Sequence, residues 1–143
     1  MSEENSRTPK ILIMDDEEAI LDVTKLLLKR VGYDADVAWD GMEALSVYKS
    51  ALDEGKCFDA VILDLNVPGG AGGMDVIGSL LEMDPGACAI VSSGDSDDPV
   101  VRDPARYGFL GVLLKPYNSV SLAKAISDAL DALNEKLKEK NPV

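Results

Sequence analysis

With 143 residues the chain has room for one hydrophobic core and none for a second domain. Its 46% hydrophobic and 28% charged residues are globular in balance, and no apolar run approaches the ~20 residues a membrane span needs. A formal charge of −12, carried without a histidine, opposes nucleic acid and anionic membranes as partners, because both are polyanions.

The opening MSEENSRTPK is polar and acidic where a signal peptide is basic and then apolar, so residues 1–8 are expected to be a flexible N-terminal segment of a cytoplasmic protein. KILIM (10–14) is the first strand candidate, and residues 17–31 follow with Ile20, Val23, Leu27 and Val31 on one helical face. DADVAW (34–39) reads as the second strand. Asp40, with Glu43 three residues on, has the form of a capping box, and Leu45, Tyr48 and Leu52 form the next helical stripe. FDAVIL (58–63) is the third strand, a glycine-rich loop leads to a helix around 74–82, CAIVS (88–92) is the fourth strand and GVLL (111–114) the fifth. Between the last two, Asp98-Pro99 is a good helix start, yet Pro104 follows within two turns, and an interior proline costs a helix ~3 kcal/mol or more. That helix is expected to begin at Asp103-Pro104 or to be broken, which makes residues 96–106 the least stable stretch of their face. Leu122, Ile126, Ala129, Leu133 and Leu137 space a long closing helix that fades into a charged tail, set at 139–143. Cys57 and Cys88 lack any CxxC or Cys/His spacing and read as small buried hydrophobes in a reducing compartment.

Strands alternating with helices imply a parallel sheet covered on both faces, whose ligands collect outside the carboxyl ends of the strands. Those ends carry Asp15 and Asp16, then Asp64 with Asn66 two beyond, then Ser92 and Ser93, then Lys115-Pro116. Alone, each has an ordinary structural reading as a cap or a surface residue. Together they do not, since two carboxylates ~4 Å apart repel by about 4 kcal/mol at an effective dielectric of 20. Oxygen donors of this kind suit Mg²⁺, which often shares its coordination sphere with a phosphoryl group, and Lys115 and a serine hydroxyl can meet the same group. A carboxylate so placed can act as a nucleophile toward phosphorus.

ILIMDDEE, VILDLNVPGG, IVSSGDSDDP and GVLLKPY, in that order, resemble the receiver domain of two-component response regulators over residues 9 to 138. The resemblance implies a flavodoxin-like, doubly wound five-stranded parallel sheet of order 2-1-3-4-5. It implies Asp64 as phosphoacceptor, Asp15 and Asp16 as the acidic pair serving Mg²⁺, and the backbone carbonyl of Asn66 as a further ligand. It also implies Ser93, followed by the small Gly94, as the switching hydroxyl, Lys115 as the cation, and a cis Lys115-Pro116 bond. The implied partners are a sensor histidine kinase or phosphotransfer protein upstream and a protein target downstream. The implied output is a switch of the face made by helix four, strand five and helix five, reset by self-dephosphorylation. The chain is read as a monomer or weak homodimer, and as either a stand-alone regulator or a segment of a hybrid kinase.

Departures are local. PGGAGGMD is one residue longer between Pro68 and Gly73 than in common receivers and, with SSGDSDDPV, is similar to receivers attached to hybrid sensor histidine kinases; Val112 stands where many carry a switching aromatic, and the nearby Tyr107 and Phe109 are read as core. Asn66 and Asp95, two beyond Asp64 and Ser93, stand where receivers tune the phosphoryl lifetime. Three rival readings fail on chemistry. A haloacid dehalogenase-type phosphatase needs an acid where Asn66 stands. A nucleotide binder needs a phosphate cradle where DDEE stands. A calcium loop from Asp64 to Asp75 lacks a side-chain oxygen at Pro68. The expectation is a signalling phosphoacceptor and not an enzyme acting on an outside substrate.

Overall fold

Each of the five apolar runs becomes a strand. In the computed structural model, which describes residues 8–140, β1 (Lys10–Met14), β2 (Asp34–Ala38), β3 (Ala60–Asp64), β4 (Ala89–Ser93) and β5 (Gly111–Leu114) form one sheet, every pair parallel, in the order β2-β1-β3-β4-β5. Helices α1 (Glu18–Arg30), α2 (Gly41–Asp53), α3 (Gly73–Met83), the short α4 (Pro99–Arg102) and α5 (Ser119–Lys140) connect and close it. This is the doubly wound arrangement expected. Of the assigned end segments, residues 1–7 and 141–143 lie outside the described residues, and α5 continues through Lys140, past the expected start of the tail at 139. No helix of the described residues is long and apolar enough to cross a membrane.

β1, β3 and β4 carry apolar residues on both faces because each face meets helices. Leu12, Met14, Val61, Leu63, Ala89 and Val91 pack with α2 and α3, whereas Ile11, Ile13, Ala60, Ile62, Ile90 and Leu113 pack with α1 and α5. Side chains alternate along a strand, so Asp15, Asp64 and Lys115, in step with the second set, leave the sheet on the α1/α5 side. Ser92 follows them and Ser93 does not.

α1 differs from expectation by one residue. Its buried positions are Leu21, Thr24 and Leu28, while Val23 is 54% exposed. The buried threonine interrupts the apolar pattern, which shifted the expected face toward Ile20 and Val23. α2 starts as expected, Asp40 Oδ1 accepting from the Glu43 N–H at 2.9 Å, but Glu43 reaches one residue further back, to the N–H of Trp39. That bond accompanies the end of β2 at Ala38, and Trp39 is exposed. Cys88 is buried as expected; Cys57 is exposed, because it lies in the loop before β3. α4 is broken: Asp98 caps it, Pro99 opens it, and it stops at Asp103 before a 3-10 turn spanning Pro104–Tyr107. Phe109 is fully buried and Tyr107 packs partly against the same core. Lys115-Pro116 is cis.

The glycine-rich loop is fastened to the fold. Ala71 accepts from the Gly41 N–H at 2.7 Å, and Asp75 accepts from the Gly72 N–H at 2.9 Å. A Cβ on Gly72 would overlap the carbonyl oxygen of Leu65, so this position requires glycine for close backbone approach. Gly72→Ala is expected to destabilise the protein by about 1–3 kcal/mol, seen as a lower urea midpoint with unchanged slope. Gly78→Ala, on an exposed position of α3 with open space around it, is expected to raise that midpoint, by roughly 0.5–1 kcal/mol.

Candidate functional site

Parallel register brings the strand ends to one edge. Asp15 is the first residue past β1, Asp64 and Ser93 are the last of β3 and β4, and Lys115 is the first past β5. Lys115 Nζ lies 2.8 Å from Asp15 Oδ2 and 3.3 Å from Asp64 Oδ2. Both carboxylates are buried, with side chains 3% and 6% exposed. The amine thus bridges two acids that would otherwise face each other unscreened. Each carboxylate uses its other oxygen to turn the chain: Asp15 Oδ1 accepts from the Glu17 N–H at 2.9 Å, and Asp64 Oδ1 from the Asn66 N–H at 3.3 Å.

Burial pushes the Asp64 carboxyl above the ordinary aspartate range, and the charge of Asp15 adds to this; Lys115 and the Asn66 N–H oppose it without cancelling it. Burial favours the neutral amine of Lys115, but hydrogen bonds and charge from Asp15 and Asp64 together outweigh it and hold the amine above its ordinary value. Each partner therefore constrains the other: the amine opposes the rise of the Asp64 carboxyl, and the two carboxylates raise the amine against its burial.

Asp16 and Glu17 are exposed at the mouth. One oxygen from each of Asp15, Asp16 and Glu17 lies within 4.8 Å of the others, an all-oxygen donor set that fits a hard divalent cation. Glu17 was not singled out from the sequence, although DDEE carried the signal. Asn66 is exposed and meets Asp64 through its N–H.

The serines divide. Ser93 Oγ accepts from the Asp95 N–H at 3.0 Å in a turn that ends β4. Ser92 pairs in register with Asp64, and among the described residues its buried Oγ makes no hydrogen bond. Asp95 is exposed, with Oδ1 accepting from the Asp97 N–H. All the expected site residues thus stand at one sheet edge, and Asp15, Asp64 and Lys115 are in direct contact.

A family model described as the response regulator receiver domain matches residues 11–127. The chain is 31% identical over 107 residues to a response regulator receiver protein of Anaeromyxobacter, covering 75% of this chain and 42% of that protein. It is 28% identical over 123 residues to the chemotaxis protein CheY of Halobacterium salinarum, covering 86% of this chain and 98% of the relative. The crystal structure of a receiver domain protein from Clostridium thermocellum superposes with a TM-score of 0.74 at 28% identity, over 90% of this chain and 98% of the other. The chain therefore spans less than half of one relative and nearly all of another.

Proposed function

The chain belongs to the response regulator receiver domain family, and on that premise we propose that Asp64 accepts a phosphoryl group from a phosphohistidine of a sensor kinase or phosphotransfer protein. The observation that supports this best is the Lys115 amine, within hydrogen-bond distance of both Asp15 and Asp64. A structural ion pair needs one acid; a second buried acid raises the local charge and calls for a further cation or a function.

An Asp64 oxygen attacks phosphorus, the P–N bond of the donor breaks, and the departing imidazole takes a proton from solvent. Asp15, Asp16 and Asp64, with the backbone carbonyl of Asn66, would hold Mg²⁺, which when bound neutralises charge on the transferring oxygens. Lys115 turns from the free carboxylate to a phosphoryl oxygen, and Ser93 releases the Asp95 N–H to donate its hydroxyl to another. Water flanked by Asn66 and Asp95 later hydrolyses the acyl phosphate, which resets the protein. The movement of Ser93 repacks α4, β5 and α5, the face offered to a downstream protein. The working unit is residues 9–138, a cytoplasmic monomer or weak homodimer.

Incubation with acetyl phosphate and Mg²⁺ is expected to add the mass of one phosphoryl group in an acid-stable, base-labile bond. Asp64→Asn and chelation of the metal are each expected to abolish it. A label that persists in Asp64→Asn would place the acceptor elsewhere.

A further inference from the structure

α1 carries a hydroxyl that the apolar pattern does not account for. Thr24 is fully buried, and its Oγ1 lies 2.7 Å from the phenol of Tyr117, 93 residues away in the chain. Tyr117 stands two residues beyond Lys115, across the Pro116 that leads from β5 toward α5. Asp15, for its part, is fastened to the start of α1 by the Glu17 N–H. The same two pieces of structure, α1 with its leading loop and the β5–α5 loop, are therefore joined twice: once by Lys115 to Asp15 and once by Tyr117 to Thr24.

Between these two pieces lies an open groove of about 420 Å³, with Ala19, Ile20 and Val23 on one side and Lys115 and Pro116 on the other. Thr24 and Tyr117 line the same groove, and Tyr117 packs against the core cluster that includes Leu21 and Leu28 of α1. Lys115 has a long flexible stem, and holding its amine between two carboxylates requires its backbone to stay at a set distance from α1. Backbone pairing fixes Lys115 toward β4, through its N–H to the Ser93 carbonyl at 2.9 Å, but Pro116 has no N–H to give. The side-chain bond across the groove supplies the constraint in the other direction.

We infer that Thr24 and Tyr117 are positioning residues, a hydrogen-bonded clamp that holds the Lys115 amine against Asp15 and Asp64. The clamp acts through Lys115 and touches no reacting atom. Its effect on phosphoryl transfer rests on the function proposed above; its effect on the lysine does not.

The test uses Thr24→Val, which keeps the shape and removes the hydroxyl, Thr24→Ser, which keeps the hydroxyl, Tyr117→Phe, and the Thr24→Val/Tyr117→Phe double variant. Reductive methylation without metal or donor, followed lysine by lysine by mass spectrometry, reports how well each amine is held. Labelling of Lys115 is expected to quicken roughly fivefold in Thr24→Val and in Tyr117→Phe, the worth of about one net hydrogen bond, and no further in the double variant. Lys49 and Lys124 are expected to be unchanged and Thr24→Ser to match the parent. With acetyl phosphate and Mg²⁺, the saturated rate of adduct formation is expected to fall by a similar factor at unchanged half-saturating donor. Lys115 labelling that stays at the parent rate, multiplies in the double variant, or is as fast in Thr24→Ser as in Thr24→Val would overturn the clamp. A parent protein that forms no Asp64 adduct while Lys115 labelling responds as described would overturn the phosphoacceptor reading and leave the clamp standing.

Discussion

Lys115→Met is expected to destabilise the protein by about 3–5 kcal/mol at neutral pH without divalent cation, the range found when one partner of a buried ion pair is removed. Methionine keeps an unbranched apolar stem, so the loss is one of charge. Lys115 is the group that most lowers the cost of ionising Asp64, opposing burial and the charge of Asp15. Without it two buried carboxylates remain with nothing between them. The Asp64 carboxyl, already above its ordinary value, is then expected to rise further. A carboxyl whose folded value exceeds its unfolded one binds more protons in the native state, so the deficit is present above the folded value. It shrinks as pH falls through that value toward the ordinary ~3.9. In the parent the lysine gives the opposite edge: its ion-pair contribution is complete below ~10.4 and is lost as pH rises through its raised folded value. Urea midpoints of parent and variant, compared across pH with and without Mg²⁺, check both signs. The gap is expected to narrow in acid, and again at neutral pH when Mg²⁺ replaces the missing cation. A gap indifferent to both would make Lys115 a packing residue.

How far the sequence disclosed this site follows from the range of the interactions involved. β3 and β4 are enclosed on both faces, so their solid apolar runs announced a parallel sheet, and the residue after each run fell at the edge where parallel strands all end. Asp15, Asp64 and Lys115 were legible because strand ends converge by topology, without any knowledge of side-chain geometry. The buried face of α1 lies one position away from its apolar spacing because Thr24 is a polar residue satisfied by Tyr117, a partner no local pattern reveals. The reach of Glu43 to Trp39 and the closeness of Gly72 to Leu65 are of the same kind, set by where backbones pass in space. The break in α4 was legible because proline acts on its own neighbours.

That break yields the second large effect. Pro104→Ala is expected to join α4 and the following 3-10 turn into one helix over residues 99–107. Asp103 now sits at φ −143 and ψ 70, outside the helical region, as a residue before proline is driven to be. Alanine removes that restriction and restores an N–H able to reach the Val100 carbonyl. The far end is already built: Gly108 has φ 101, the Phe109 N–H bonds to the Pro104 carbonyl at 3.0 Å and the Gly108 N–H to that of Ala105 at 3.2 Å, the paired bonds of a Schellman cap. Amide exchange over 101–107 is expected to slow by roughly a hundredfold, the equilibrium equivalent of the ~3 kcal/mol an interior proline costs, with a gain in far-ultraviolet helix signal. Unchanged exchange would mean that packing of Tyr107 and Phe109, rather than Pro104, sets the break. In the parent, a phosphoryl mimic on Asp64 is expected to slow exchange across 96–106 as the segment gains order. In Pro104→Ala that slowing should be much smaller, because a segment ordered in advance has little left to gain from phosphorylation.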